Sequence, residues 1–312
     1  MASYYQRRAT RCARIAFIIV QRITVLLNPS AGTQDEAVAD RVAAAFRLSQ
    51  AGDPDIRLTE GRLLHDAAAE ALSRGPSVVV AAGGDGTVSA VASAIAGSQA
   101  ALGILPLGTL NHFAKDVGVP LDLHEAVRAI IGRRIRRIDV GELNGCRFIN
   151  NVSVGMYARL IAEREAMQRL GRGRWIAHGL AAWRVWRRYR RLRIALHTDG
   201  GERTVRTPFV FVGNNEYELS GLELGARRAL DAGRLHVCMA PGMSRRGVAR
   251  MIVTAIFGDM GRLDGFESFT AAELRLDAGV VQLNASIDGE VVAFDNPLTF
   301  RISAGALGVI VP

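Results

Sequence analysis

Lysine is nearly missing from this chain: of 39 basic residues only Lys115 is a lysine, the rest being arginine. A codon preference for arginine produces such a bias, so the formal charge of +9 points by itself to no partner. Cysteine is scarce as well. Cys12, Cys146 and Cys238 are odd in number, far apart and form no CxxC pair, which excludes a disulfide framework or a zinc site and fits a reducing, cytoplasmic setting. Long apolar runs are also absent. The basic start with Arg7, Arg8, Arg11 and Arg14 leads into only six apolar residues, 15 to 20, before Gln21 and Arg22, so it reads as a basic extension over 1–22 and not as a secretory signal. Residues 86 to 114 carry no charge if His112 is neutral, yet glycines, Pro106 and Asn111 break the run. A helix followed by a buried strand accounts for it better than a membrane span.

What is present is a repeated β-α pattern. Short apolar runs, "ITVLLNP", "DIRLTE", "SVVVAAGG" and "ALGILPLG", alternate with helical patterns at about 35–50, 62–74 and 87–97. Continuous apolar strands spaced by helices predict a parallel sheet covered on both faces, with ligands bound where the strands end. After residue 138 the pattern changes to β-rich segments such as "TPFVFVGNN" and "VVQLNASIDGEVVAF". These predict a second, largely antiparallel domain, with an Asp-Gly hairpin turn at Asp288-Gly289. The expected division is an α/β nucleotide domain over 23–138 and a β-rich domain over 139–312, the last strand either staying there or returning to the first.

The chemistry concentrates at four strand ends: Asn28 to Gly32, Leu58 to Glu60, Gly83 to Thr87, and Pro106 to Asn111. Each alone is ordinary turn or capping chemistry. Together they place small and hydroxyl residues along one sheet edge, as a phosphate and a ribose require. Gly83, Gly84 and Gly86 form a glycine turn in which φ > 0 is tolerated and an anion can approach a helix N-terminus. Neither a Rossmann fingerprint nor a Walker loop is present, and an acid, Asp85, stands in the turn.

"GGDGT" at 83–87, "LGILPLGTLNHFAKDVGVP" at 102–120, the preceding "NPSAG" and the late "IDGEVV" together resemble the diacylglycerol kinase catalytic family of lipid kinases. The resemblance runs over roughly residues 23–312. It implies an α/β domain holding ATP, a β-rich domain, and a lipid hydroxyl accepted between them. It implies nucleotide contacts by Thr59, Gly84, Asp85, Gly86, Thr87, Val88, Ser89, Ala90 and Thr109, to which the shared edge adds Asn28, Gly83 and Asn111. It further implies Glu290 as general base, with Asp85 helping to place the Mg²⁺ that accompanies ATP and Asp288 orienting the turn or assisting the metal. An NAD kinase also uses a GGDGT loop, and a catalytically silent lipid-binding regulator is the third reading.

The chain departs from the family pattern at four places. Ser89 and Ala90 replace an amide and an acid after GGDGT, and His112 replaces the aspartate after PLGTLN. Ala232 replaces the second acid of a segment that can hold an accessory ion, leaving only Asp231. One further segment, 167–193, holds nine arginines and no acid. At about 100° per residue its three tryptophans and Tyr189 fall on one side, opposite Arg184, Arg187, Arg188 and Arg191. That is the pattern of a helix lying on an anionic membrane surface, or of one packing its aromatic face on its own domain. The expected setting is the cytoplasmic side of a membrane, with no nucleic acid partner and with monomer and homodimer both open.

Overall fold

In the computed structural model the described residues are 23–28, 35–49, 52–156, 191–198, 200–217, 227, 229–248 and 266–312. The basic extension 1–22, residues 29–34 and almost all of 167–193 lie outside them. Leu192 and Arg193, at the end of that segment, belong to a strand. The chain divides into two compact units: residues up to Ile138 with Ala306–Pro312, and Asp139–Gly305.

The first unit follows the β-α pattern. Its elements are β1 (Ile23–Leu27), α1 (Asp35–Leu48), β2 (Asp55–Leu58), a 3-10 turn (Gly61–Leu63), α2 (Leu64–Ser73), β3 (Val78–Gly83), α3 (Asp85–Ile95), β4 (Ala101–Pro106), α4 (His112–Asp116) and α5 (Leu123–Gly132). The strands pair in parallel in the order β2-β1-β3-β4, and Gly308 and Val309 of the C-terminal strand add in parallel on β4. Every residue of β1, β3 and β4 is buried, as strands covered by helices on both faces must be. Phe46, Phe113 and Ile130 supply large fully buried side chains from the helices. The strand order reverses between β1 and β3, so chain leaving these two strands diverges and opens a crevice at their carboxyl ends. Register fixes that edge: Leu27 lies opposite Leu58 and Ala82, and Gly83 opposite Pro106. Asn28, Thr59, Gly84 and Leu107 therefore all emerge on it.

The second unit is a sandwich of antiparallel sheets. After β5 (Arg134–Leu143), β6 (Cys146–Phe148) and β7 (Asn151–Gly155) come β8 (Leu192–Thr198), β9 (Gly201–Thr207), β10 (Phe209–Asn214), β11 (Leu235–Met239), β12 (Glu267–Ala271), β13 (Glu273–Asp277), β14 (Gln282–Ile287), β15 (Glu290–Asp295) and β16 (Leu298–Val311). One sheet joins β16, β13, β8 and β9, and the other has the order β12-β11-β10-β7-β14-β15. Alternate residues point inward. Val152, Val154, Val210, Val212, Val237 and Met239 share one core with Ile194, Leu196, Leu274, Leu276 and Phe300.

A glycine-loop edge and an acidic hairpin

The glycine loop is tighter than its sequence predicts. Helix α3 starts at Asp85, two residues earlier than expected, and Gly84 before it has extended backbone at φ −90° and ψ −172°. Gly83, Gly84 and Gly86 are absent from the left-handed region, so the expectation that φ > 0 demands these glycines is corrected. Close approach demands glycine at Gly83 and, in the neighbouring loop, at Gly108, whereas a Cβ on Gly86 would meet nothing within 4 Å. A Cβ on Gly83 would stand 2.4 Å from Thr87 Oγ1, and one on Gly108 2.4 Å from the Cα of Gly84. The two loops thus touch backbone to backbone, where no side chain fits.

A small network holds this edge. Asn28 Nδ2 donates to Thr87 Oγ1 at 3.0 Å, tying the end of β1 to the first turn of α3 at the crevice. The Thr59 N–H donates to Leu27 O at 2.8 Å and the Leu107 N–H to Gly83 O at 3.0 Å. Asn111, buried and left-handed at φ 51°, accepts from Gly108 N at 3.2 Å and donates to Gly108 O at 2.8 Å. Its side chain therefore moulds the PLGT loop, a scaffolding role in addition to the nucleotide contact expected of it. Thr109 is exposed, and Ser89 and Ala90 are half-buried on α3.

The first bond within α3 runs from Val88 N to Gly84 O at 3.0 Å. The N–H groups of Asp85, Gly86 and Thr87 therefore have no carbonyl acceptor in the helix, and they form the donor set an anionic phosphate fits. Asp85 sits beside them, half-buried, and its Oδ1 accepts from Phe113 N at the start of α4, 3.1 Å away. The carboxylate thus couples the GGDGT and PLGTLNH segments through one oxygen. The partner lies 28 residues on, beyond the reach of local sequence pattern.

The second unit carries the acidic hairpin. Ile287 pairs with Glu290, and Asp288 and Gly289 between them both have positive φ, 45° and 96°. This is the two-residue turn that Asp-Gly favours. Asp288 Oδ2 accepts from Ile149 N, and Oδ1 accepts from Asn150 N and Asn151 N, all at 2.9 Å. Of the two roles expected for Asp288, the geometry displays the anchoring one. Glu290 is exposed, and its carboxylate has no partner among the described residues.

Sequence reading overlooked a second satisfied acid. Asp139 is 2 % exposed. Its carboxylate accepts from Gly233 N at 2.7 Å and Gly305 N at 2.8 Å. Asn215 Oδ1 accepts from Ala232 N at 3.0 Å, and Asn214 donates to Asp139 O at 2.8 Å. The Leu230–Gly233 segment, where an accessory ion was considered, is thus held by side chains. Asp231 itself is exposed. Among the described residues no three His, Cys, Asp or Glu side chains converge.

Two family models account for nearly the whole chain: the diacylglycerol kinase catalytic domain over residues 22–143, and the YegS C-terminal NAD kinase beta sandwich-like domain over 150–311. The chain belongs to the diacylglycerol kinase catalytic-domain family. Several relatives match it over 94% of its length. A protein of Pseudomonas savastanoi pv. phaseolicola named "Probable lipid kinase YegS-like" is 30% identical over 94% of this chain and 95% of its own. A Mycobacterium tuberculosis protein named "Diacylglycerol kinase" is 29% identical over 94% and 96%. The crystal structure of a diacylglycerol kinase from Bacillus anthracis str. Sterne superimposes with a TM-score of 0.65 at 18% identity, covering 94% of this chain and 97% of that one. It shares the fold of this diacylglycerol kinase family member: parallel strands with helices first, then an antiparallel sandwich.

Proposed function

We propose that the chain is an ATP-dependent lipid kinase that transfers the γ-phosphoryl group to a hydroxyl of diacylglycerol or a related lipid. The observation that carries this reading is the set of helix N–H groups at Asp85, Gly86 and Thr87 on the crevice edge, in a chain of this family. Phosphoryl transfer asks mainly for positioning and charge neutralisation, so backbone donors can replace a P-loop lysine. Asn28, Thr59, Thr109 and Asn111 border the same edge and are the proposed nucleotide contacts. Mg²⁺, bound with the triphosphate, would supply further charge neutralisation, and Asp85, the acid beside the cradle, would help to hold it.

Glu290 is the proposed general base. An exposed carboxylate whose lone pairs are not committed to protein donors can accept a proton from a substrate hydroxyl. As that hydroxyl oxygen bonds to the γ-phosphorus, its proton passes to Glu290, the bond to the β-γ bridging oxygen breaks, and ADP leaves. The arginine- and tryptophan-rich segment 167–193 is the proposed attachment to an anionic membrane surface on the cytoplasmic side.

The test is incubation of the purified protein with labelled ATP and anionic vesicles carrying diacylglycerol, monoacylglycerol, ceramide or sphingosine. One labelled lipid is expected, and Glu290→Gln should cut turnover by about 100- to 10,000-fold with ATP binding intact. Labelled NAD in a parallel reaction would favour an NAD kinase, and ATP binding without any labelled product would favour a silent lipid-binding protein.

A further inference from the structure

We propose that Lys115 is a phosphate contact of the nucleotide site, supplying a cation that the glycine loop lacks. This rests on the ATP-binding reading above. The first observation is compositional: arginine stands at 38 of 39 basic positions, and the one side-chain ammonium group lies four residues after Asn111. A background that writes arginine almost everywhere retains lysine where the two are not interchangeable. An ammonium is a compact point charge with three rotatable donors, suited to a single phosphate oxygen where a planar guanidinium fork is too wide.

The second observation is placement. Helix α4 is fixed against the glycine loop at its start, by the Phe113 N–H to Asp85 bond at 3.1 Å and by Asn111, which shapes the PLGT loop touching Gly84. Phe113 and Ala114 are buried, so His112 and Lys115, three residues apart, share the exposed side of the helix. The third is charge. Lys115 makes no side-chain hydrogen bond or ion pair among the described residues, although Asp116 adjoins it in sequence. An aspartate at 112, as the family resemblance puts there, would stand at ion-pairing distance from Lys115; His112 leaves the ammonium available to a phosphate. The cation then does at this edge what lysine does in other phosphate loops, but from the neighbouring helix.

Because Lys115 is the only lysine, it can be followed in the unaltered protein. Acylation with an amine-selective ester, read at the Lys115 peptide by mass spectrometry, should be slowed several-fold by ATP and not by adenosine, which lacks phosphates. In direct binding, Lys115→Ala should weaken ATP by about 10- to 100-fold, the scale of one charge-assisted hydrogen bond, while leaving adenosine binding and Tm unchanged. Lys115→Arg should recover only part of the loss. Acylation indifferent to ATP, or wild-type ATP affinity in Lys115→Ala, overturns the contact, and full recovery in Lys115→Arg overturns the need for an ammonium. Wild-type protein that binds no ATP overturns this inference together with the function on which it rests. ATP binding that is unaffected at Lys115 overturns the inference alone.

Discussion

The second unit commits Asp139 and Asp288 to its loops, whereas Asp85 in the first unit and Glu290 on the second unit's exposed hairpin keep lone pairs to spare. In the second unit Asp139 and Asp288 give both carboxylate oxygens to backbone N–H groups, five bonds between 2.7 and 2.9 Å. In the first, Asp85 gives one oxygen to Phe113 N, and Glu290 on the exposed hairpin of the second unit gives none among the described residues. A carboxylate with every oxygen engaged by amides stabilises a loop and has little capacity left for a ligand. One with spare lone pairs and solvent access can bind or accept a proton. The contrast separates fully bonded carboxylates from those with lone pairs to spare where the sequence offers only Asp and Glu.

The comparison breaks first, and with the largest expected effect, if Asp139 proves dispensable. Asp139→Ala strands two buried N–H groups and should cost on the order of 2–5 kcal/mol in chemical denaturation. Asp139→Asn, which keeps one acceptor, should cost roughly half of that. Next comes the backbone contact that holds the first unit's loops together. Gly108→Ala forces apart Gly84 and Gly108 and should cost about 1–3 kcal/mol, with weaker ATP binding measured by calorimetry. Asp85 sharpens the contrast within a single residue. Asp85→Asn keeps an acceptor for Phe113 N, so Tm should stay within a degree or two, roughly 0.5 kcal/mol, while phosphoryl transfer falls; wild-type turnover would reduce Asp85 to a cap. Asp85→Ala should lower both.

The smallest effect is a pH dependence. Burial holds the His236 imidazole below its ordinary value of 6.5, against a smaller opposing pull from Glu216, and its Nδ1 accepts from Tyr217 N at 3.2 Å. Below pH 6.5 the unfolded chain takes up a proton that the folded form resists, so stability should fall as pH drops from there toward the folded value. Denaturation midpoints between pH 7 and 5 should show this slope, and His236→Asn should flatten it.

Much of the fold was legible because its signals are local. Apolar runs of five or six residues with helical spacers define β1, β3 and β4, and Asp-Gly between β-prone flanks defines the β14–β15 hairpin. Strands of mixed polarity were not singled out: "RIRRIDVGEL", "GERTVRT" and "ELRLD" mix charged with apolar residues, and "ELRLD" also takes both its partners, β8 and β16, from distant parts of the chain. Of the site, the glycines and the strand-end residues were legible as a set, while the reason for the glycines was not. Periodicity cannot show that Thr87 folds back over Gly83 or that Gly108 abuts Gly84.

The sequence by itself determined the β-α order of the first unit, the edge on which its loops gather and the family, since each depends on residue type at short spacing. Only the tertiary structure decided what the acids do. A carboxylate's role depends on which donors reach it, and Asp85, Asp139 and Asp288 meet theirs across 28 to 166 residues of chain. That separation has no trace in local pattern, because hydrogen bonds are satisfied in space and not along the sequence.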